Sequence, residues 1–554
     1  MEKRLHKFQM NMASGYRADN PASNYVRTRP RRRHGNRPAK VIRNIKRFEI
    51  LKKAGKTAVL LVAPETGRLP EDMGSLARYI SGKSGGLGEV VSALSEGLRA
   101  RGINCHLATL NLKRRFQEES GMDEHAWRQV RHKVDPDKIH LVSSSIYANL
   151  PSAYSGNPLS NAAEFQKELV NNTIRTVRAR SGGMLIVHSH DWMAGGVVTA
   201  YAKSRDCPVL HTVHNVHTGH IPLDMFYGVD IESLAWNIYF SKEHGKTCID
   251  SQATAIKSAT MVNFVGEKFF REIIEDYFLD RSFIPSSVRQ EVKAKYNHGA
   301  AFSIINAPSP RMYPERCEHL ARKYNPDDDV LAAKKENLVE FQKRTGLIVD
   351  PDAILLYWPS RLDETQKGCE LLEDIALRFV IENADVQIAV VGNGVEGDRT
   401  HEEIMGRIAY ASGGKITYQR FSEPLSMLGY AAASDVFGAS LYEPCGQIDQ
   451  IGNLFGATAT NRDTGGYHDK IRELQLMCDG YSCDTGNGFL FCNYDPGGLW
   501  HGLSRSVQFH RNRAEVREQQ MKRIMREARE RYGLDTMIDE YVKAYERLNG
   551  RPLN

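Results

Sequence analysis

The sequence predicts an α/β fold made of two Rossmann-like, doubly wound parallel-sheet domains that face each other across a cleft. Its 554 residues exceed what a single hydrophobic core usually supports. Short continuous apolar runs, typical of strands buried on both faces, alternate with longer stretches of helical periodicity. The alternation occurs in two series, one before residue 315 and one after it. Each series can form one parallel sheet covered by helices on both faces.

The first series begins with an apolar run at 58–63, followed by a helix over 85–101 and a strand over 103–110. Apolar residues from Phe165 to Val177 then recur at helical spacing, and the glycines at 182–183 end that helix. Further strands are expected at 184–187, around 209–210 and at 261–265. This series predicts a first domain over residues 55–314.

The second series follows a charged, helical-looking stretch at 315–345. Its helices include 369–383 and 424–433, and the chain from about residue 496 onward is helical in pattern. Its strands are expected at 354–358, 386–391, 416–418, 436–439 and about 457–460. This series predicts a second domain over residues 315–554 that includes the C-terminal helices.

The positive net charge of +7 belongs to the N-terminal segment. Residues 1–50 contain 14 Lys and Arg against 3 Asp and Glu, and the rest of the chain contains 60 against 64. With few apolar residues, the segment 1–54 is expected to be a disordered basic tail. A polyanion contact is one interpretation of the tail and a solvated arm is the other, so nucleic acid is not an expected partner of the folded domains.

Other classes of protein are not expected. No apolar run approaches the roughly 20 residues that span a bilayer, and the first residues lack the apolar core of a signal peptide. The nine cysteines are scattered without zinc-site spacing. The chain is therefore expected to be a cytoplasmic protein that needs neither a membrane nor a metal.

A glycine-rich turn, Gly85-Gly86-Leu87-Gly88, opens the first predicted helix. Glycines allow close approach of the backbone to a ligand, and free N–H groups at a helix start attract phosphate. Lys83 adds a positive charge. A P-loop is rejected because Ala77 stands where that motif needs glycine. The alternative is a tight turn with a solvated lysine.

Two histidine-rich segments end neighbouring predicted strands, where α/β proteins place functional groups. They are His188-Ser189-His190-Asp191-Trp192 and His211-Thr212-Val213-His214-Asn215. Their spacing matches no zinc pattern. Hydrogen bonding to a sugar is one interpretation, and histidines with a structural role are the other.

Arg361 and Lys367 follow the first strand of the second series. Two cations at the carboxyl end of a strand suit a diphosphate whose negative charge grows as it leaves. Solvated surface charges are the alternative interpretation. The pattern favours a phosphorylated ligand in the cleft.

Glu443-Pro444-Cys445-Gly446 follows the strand at 436–439, and Thr464-Gly465-Gly466 follows the next strand. A carboxylate at Glu443 can accept hydrogen bonds from sugar hydroxyls, and the backbone N–H groups after Cys445 can hold sugar or phosphate oxygens. Cys445 has no paired base, which indicates packing rather than nucleophilic chemistry. The glycines at 465–466 provide a further close backbone approach.

Taken together and in this order, these motifs resemble those of the glycogen and starch synthase family of retaining glycosyltransferases. The resemblance covers roughly residues 57–545 and is most specific at the Lys-x-Gly-Gly-Leu turn and at Glu-Pro-Cys-Gly. Its other matches are His190-Asp191-Trp192, Thr212-Val213-His214-Asn215, Asn306, Ser360-Arg361-Leu362, Gln366-Lys367-Gly368 and Thr464-Gly465-Gly466.

The resemblance implies a GT-B architecture and transfer of glucose from a nucleotide-glucose, usually ADP-glucose, to the non-reducing end of an α-1,4-glucan. Glucose would contact His214 and Glu443, and Asn306 would lie near it. Glu89 would stand at the acidic position of the motif near the donor. Lys83, Arg361 and Lys367 would face the diphosphate, so neither a metal nor another cofactor is expected.

The sequence departs from the family at Glu89, where most members have Asp, and at residues 447–450. These departures leave ADP or UDP open as the nucleotide. The alternative functions are a retaining glycosyltransferase with another donor or acceptor and a catalytically silent glucan- or nucleotide-binding protein.

Overall fold

The computed structural model describes residues 57–69, 73, 77–82, 85–130, 138–278, 283–395, 397, 399–475 and 485–553. The predicted tail, residues 1–54, lies outside the described residues, and so does Lys83. Two parallel sheets and one small antiparallel sheet organise the described chain, which confirms the predicted α/β class.

The first parallel sheet has seven strands in the order β10-β9-β5-β4-β1-β2-β3. Its central strands are almost fully buried, as expected where helices cover both faces of a sheet, and β1 is a continuous apolar segment. The strands are β1 (Ala58–Val62), β2 (Asn104–Leu110), β3 (Ile139–Val142), β4 (Leu185–His190), β5 (Val209–Val213), β9 (Met261–Phe264) and β10 (Ala301–Ser303).

The second parallel sheet has six strands in the order β13-β12-β11-β14-β15-β16. They are β11 (Ile354–Trp358), β12 (Val386–Val391), β13 (Ile416–Gln419), β14 (Asp435–Gly438), β15 (Thr458–Arg462) and β16 (Gly488–Phe491). In both sheets the first strand of the chain lies in the interior. The next strands are added toward one edge, and the later strands are added on the other side of the first strand, which is the strand order of doubly wound folds. The strand order therefore reverses between β1 and β4 and again between β11 and β14.

The helices follow the strands and cover the sheets. In the first half they are α1 (Gly86–Ala100), α2 (Lys113–Ser120), α3 (Glu124–Val130), α4 (Pro158–Glu168), α5 (Ile174–Ser181), α6 (Asp191–Ala194), α7 (Gly196–Ser204), α8 (Ile231–Leu234), α9 (Ser251–Ser258), α10 (Glu267–Ile274) and α11 (Ser286–Asn297). In the second half they are α12 (Val330–Thr345), α13 (Cys369–Glu382), α14 (Thr400–Ala411), α15 (Glu423–Ala432), α16 (Ile448–Leu454), α17 (Gly465–Lys470), α18 (Pro496–His510), α19 (Ala514–Tyr532) and α20 (Leu534–Asn549).

Several elements differ from the sequence expectation. The helix expected over 315–345 covers only Val330–Thr345, because Pro326 and the aspartates after it end the irregular segment. Asp329 caps the helix by accepting a hydrogen bond from the N–H of Ala332 at 2.9 Å. Strands β3, β10 and β16 were not predicted. Nor was an antiparallel sheet of β6 (His220–Pro222), β8 (Lys246–Asp250) and β7 (Phe240–Glu243). All six are short, and several carry polar residues that hide the strand periodicity.

The last helix, α20, packs with the first half of the chain although the sequence grouped it with the second. Ile538, Tyr541 and Tyr545 are buried in the same core cluster as β1 and β4. A Cβ atom at Gly97 of α1 would overlap the side chain of Ile538, so this glycine permits the close approach of α20. The helix therefore crosses from the second sheet back to the first.

No helix among the described residues combines the length and the apolar character needed to cross a membrane.

Candidate functional site

The predicted motifs lie at the two points where strand order reverses. In doubly wound sheets, ligands bind in the crevice outside the carboxyl ends of the strands at such points. On the first sheet, the loops after β1, β4 and β5 carry the glycine turn and the two histidine segments. On the second sheet, the loops after β11, β14 and β15 carry the cation segment, the Glu-Pro-Cys-Gly segment and the Thr-Gly-Gly segment.

The glycine turn is held by Glu65, which directly follows the strand β1 region and is buried. Its Oε2 accepts a hydrogen bond from the N–H of Gly85 at 3.2 Å. Gly86 is the first residue of α1 and lies against the second half of the chain. A Cβ atom added to Gly86 would lie 3.1 Å from Oε1 of Gln447. Glu89 lies in the first turn of α1 and its carboxylate packs beside Gly67. The turn thus brings the start of α1 against a residue of the opposite sheet.

His190 and His214 form a contacting pair between the ends of β4 and β5. Nδ1 of His190 and Nε2 of His214 are 3.0 Å apart, and the two rings are stacked with centroids 5.3 Å apart. Nε2 of His190 is buried without a hydrogen-bond partner among the described residues. Among the described residues, this nitrogen therefore has an unused hydrogen-bonding capacity, and it is closed off from solvent.

Asp191 holds the loop that carries His214. Its Oδ1 accepts hydrogen bonds from the backbone N–H groups of His214, at 2.7 Å, and Asn215, at 3.2 Å. Asp191 itself adopts a left-handed backbone conformation with φ of 55°, which is uncommon for a residue other than glycine. Asn215 in turn accepts a hydrogen bond from the N–H of Val216 through its side chain. In the structure, Asp191 and Asn215 use these oxygens to shape the loop.

The buried histidines are neutral at neutral pH. Burial lowers the pKa of His214 to about 3 and lowers the pKa of His190 well below its usual value, with smaller contributions from neighbouring histidines. Burial also raises the pKa of Asp191 to about 7, against the effect of its two N–H donors. Positive charge for a phosphate must therefore come from lysine or arginine.

Lys367 and Glu443 form an ion pair on the second sheet. Nζ of Lys367 lies 2.6 Å from Oε2 of Glu443, and their side chains are only 15% and 8% exposed. Ser440 donates a hydrogen bond to the same oxygen at 3.0 Å. Without a bound molecule, the lysine predicted to face the diphosphate and the carboxylate predicted to face the sugar thus contact each other.

Arg361 is the more exposed cation, with 58% of its side chain accessible. It donates a hydrogen bond to Oε1 of Gln366 at 3.3 Å and lies 3.7 Å from Asp363. Its charge also reaches the first half: burial lowers the pKa of His217, and Arg361 lowers it further. Arg361 is therefore accessible to a ligand and lies close enough to the first half to act electrostatically on His217.

Glycines allow the Thr464-Gly465-Gly466 segment to pack directly on the Glu-Pro-Cys-Gly segment. A Cβ atom at Gly465 would overlap the carbonyl oxygen of Glu443, and one at Gly466 would overlap that of Cys445. Gly465 also has a positive φ of 45°. The N–H of Gly466 donates to the carbonyl of Glu443 at 2.9 Å. This contact fixes the backbone of Glu443, from which its carboxylate extends.

Gly446 and Cys445 complete that segment. Gly446 has a φ of 65°, and a Cβ on it would overlap the ring of Tyr467. Cys445 is buried, and burial raises the pKa of its thiol to about 11, with the N–H of Asn306 acting in the opposite direction. Asn306 also accepts a hydrogen bond from Nε2 of Gln450 through its backbone carbonyl, at 2.9 Å. The neutral thiol agrees with a packing role.

Sequence reasoning missed residues that join the two halves. Glu272, on α10, accepts hydrogen bonds from Oγ1 of Thr464 at 3.1 Å and from the N–H of Gly465 at 3.2 Å. Tyr442 stacks on Phe283 with ring centroids 4.2 Å apart. Glu65, which holds the glycine turn within the first half, was also missed. Its position could have been predicted, because a carboxylate soon after a buried strand lies at the carboxyl edge of the sheet. The contacts of Glu272 could not have been predicted from the sequence, because a glutamate within an amphipathic helix is ordinarily solvated.

The arrangement combines neutral hydrogen-bonding groups on one side of the cleft with cations on the other. The histidine pair and the start of α1 come from the first sheet, and Arg361 with the Lys367–Glu443 pair come from the second. Such a site can bind a polar neutral group and stabilise a developing negative charge next to it.

Comparison with known proteins agrees with this geometry. The family model described as "Starch synthase catalytic domain" matches residues 76–282. The glycogen synthase of Bacillus anthracis is 26% identical over 494 residues, which cover 84% of this chain and 97% of that protein. The glycogen synthase of Bacillus subtilis (strain 168) is 26% identical over 455 residues, which cover 77% and 88%.

Solved structures show the same fold. The catalytic domain of starch synthase IV from Arabidopsis thaliana, bound to ADP and acarbose, aligns with a TM-score of 0.71 and 19% identity. The alignment covers 90% of this chain and all of that one. Sucrose-phosphate synthase from Thermosynechococcus elongatus aligns with a TM-score of 0.53 and 14% identity, over 89% of this chain and 99% of that one.

Proposed function

We propose that the chain is a member of the glycogen and starch synthase family of glycosyltransferases and that it moves glucose from ADP-glucose to the non-reducing end of an α-1,4-glucan. The anomeric configuration is retained in this proposal. The relatives named glycogen synthase support the acceptor class. The starch synthase bound to ADP and acarbose supports the nucleotide and the glucan-like acceptor.

The observation that carries the proposal is the placement of Lys367 and Glu443. Their ion pair of 2.6 Å lies at the carboxyl end of the second sheet, beside Arg361 and at the point where the strand order reverses. A lysine and a carboxylate in contact can separate to meet two neighbouring parts of one ligand. We assign the diphosphate to Lys367 and Arg361, and the glucose hydroxyls to Glu443.

The neutral histidine pair suits the other side of the sugar. His214 and His190 can donate or accept a hydrogen bond without adding charge. We place the glucose between this pair and Glu443, with Asn306 nearby. The N–H group of Gly86 and the N–H groups that follow Cys445 then bind oxygen atoms of the donor from both halves of the chain. Lys83, which precedes the glycine turn in the sequence, adds positive charge.

In the proposed reaction, the bond between glucose C1 and the phosphate oxygen breaks as negative charge develops on the diphosphate. Arg361 and Lys367 stabilise that charge more strongly than they stabilise the intact donor. A new bond forms between C1 and the acceptor hydroxyl oxygen on the same face of the sugar. The hydroxyl proton passes to the departing phosphate oxygen, so neither a protein nucleophile nor a metal is required.

The experiment that tests the proposal measures nucleotide release with defined substrates. The full chain is incubated with glycogen and either ADP-glucose or UDP-glucose, and the released nucleoside diphosphate and the elongated glucan are both quantified. We expect release of ADP that depends on glycogen. Release of UDP instead would correct the donor, and release without elongation would exclude the glucan acceptor.

A matched pair of variants tests the assignment of charge. Lys367→Ala should lower turnover by on the order of 100-fold, as the loss of a transition-state electrostatic contact does. Lys335→Ala is the control, because Lys335 also forms a 2.6 Å ion pair, with Asp352, but is 40% exposed. If donor and glucan bind and neither variant nor wild type turns over, the chain is a silent binding protein.

We also assign the reaction to the cytoplasm. All seven cysteines that the structure describes carry free thiols, and six of them are buried. Reduced thiols fit a compartment in which disulfides are rare.

A further inference from the structure

Three metal-binding residue types meet between α13 and α14, beside the site described above. Cys369 and Glu373 are four residues apart on α13, so they share one face of that helix. His401 is the second residue of α14. Among the described residues, their ligand atoms all lie within 4.8 Å of one another. We propose that Cys369, Glu373 and His401 bind one zinc-type divalent cation.

The set of donor atoms suits zinc. Thiolate, imidazole and carboxylate are its usual protein ligands, and three protein ligands leave a fourth position for water. Nδ1 of His401 lies 2.8 Å from Oε1 of Glu373. In a tetrahedral zinc site neighbouring ligand atoms are about 3.4 to 3.6 Å apart, which follows from bonds of about 2.1 to 2.3 Å. Side-chain shifts of about 1 Å therefore convert the cluster into a zinc site.

A carboxylate lies near the second nitrogen of the imidazole. Nε2 of His401 is 3.6 Å from Oε2 of Glu364, and Nδ1 is 2.8 Å from Oε1 of Glu373. Metal-ligating histidines commonly donate their other N–H to a carboxylate, which fixes the ring and makes the ligating nitrogen more basic. A small shift of the Glu364 side chain would supply this outer contact while Nδ1 binds the cation.

The local charge also favours a cation. Cys369 is fully buried, and the carboxylates of Glu373, Glu370 and Asp363 are near enough to act electrostatically on its side chain. Neither Glu373 nor Glu370 forms an ion pair with a lysine or arginine in the described part of the chain. A divalent cation would neutralise this region and would release the thiol proton to solvent as the Cys369–metal bond forms.

The test uses cobalt, which takes zinc sites and reports thiolate ligation by a sulfur-to-metal charge-transfer band. The metal-free full chain is titrated with Co²⁺, and absorbance is recorded. We expect a charge-transfer band that saturates near about one equivalent per chain and that Zn²⁺ abolishes, because zinc binds such sites more tightly. Absence of the band in the wild-type protein would overturn the proposal.

Variants identify the ligands. Cys369→Ser should remove the band. Glu373→Gln should weaken Co²⁺ binding at least tenfold. The Glu373 side chain is 11% exposed, so this variant is less disruptive to the fold than a change at the fully buried Cys369. Cys317→Ser is the matched control, because Cys317 is also a buried thiol of the second half. A band that persists in Cys369→Ser, or that is lost equally in Cys317→Ser, would contradict the assignment. Circular dichroism verifies that each variant is folded.

Discussion

Replacing Glu443 with glutamine tests the central contact of the site. The substitution keeps the size of the side chain and removes the charge that lies 2.6 Å from Nζ of Lys367. A hydrogen bond between charged groups contributes about 1.5–3 kcal/mol. At 1.36 kcal/mol per factor of ten, kcat/KM should fall roughly ten- to a hundredfold. The melting temperature should also fall, because Lys367 is only 15% exposed and its ammonium group then lacks a charged partner, so kcat/KM is compared at a temperature at which both proteins are folded.

The assay measures kcat/KM for ADP release from ADP-glucose with glycogen as acceptor, together with the melting temperature. Glu382→Gln is the matched control: it removes the charge from a 2.7 Å ion pair with Arg378 on the surface of α13. Exposed pairs contribute about 0–1 kcal/mol, so this variant should retain nearly full activity.

Two results would refute the reasoning on Glu443. One is a folded Glu443→Gln protein with kcat/KM within about twofold of wild type. The other is strict additivity between Glu443→Gln and Lys367→Ala, because side chains in contact normally show coupling energies of about 0.5–3 kcal/mol.

Three further outcomes are expected. Gly465→Ala should lower activity at least tenfold, because the added Cβ would displace the carbonyl of Glu443. Gly102→Ala is the control, because Gly102 also has a positive φ but has no neighbour within 4 Å of an added Cβ. An equal loss of activity in both variants would argue against the contact. Tyr541→Ala should lower the free energy of unfolding by about 3–5 kcal/mol in denaturant titrations, whereas Tyr410→Ala, at a side chain 92% exposed, should not. Acidification from about pH 6.5 should lower the melting temperature, because the buried histidines have lowered pKa values and the unfolded chain binds more protons. The raised pKa values of buried carboxyl groups, those of Asp191, Asp435 and Asp449 among them, act oppositely between about pH 4 and pH 7, whereas the lowered pKa of His510 adds to the effect of the other histidines. A melting temperature that rises on acidification would contradict this account.

The sequence predicted the parts of the molecule that local pattern controls. Strands β1 and β11 are continuous apolar runs, β12 is interrupted only by Gln387, and each was located within a residue or two. The start of α1 followed from its glycines, and the resemblance to a family followed from the order of the motifs along the chain. Short polar strands such as β3, β7 and β10 were missed, because their residues carry no clear period of two.

The sequence by itself determined the two sheets and the segments that end at their carboxyl edges, because burial on both faces of a strand and the chemistry of a turn are recorded in adjacent residues. Only the tertiary structure decided which side chains meet. The Lys367–Glu443 pair, the bond from Thr464 to Glu272, and the return of α20 to the first core join residues between 76 and several hundred positions apart. Periodicity shows that a residue is buried, but the partner it meets depends on how separate elements pack, and no local pattern encodes that.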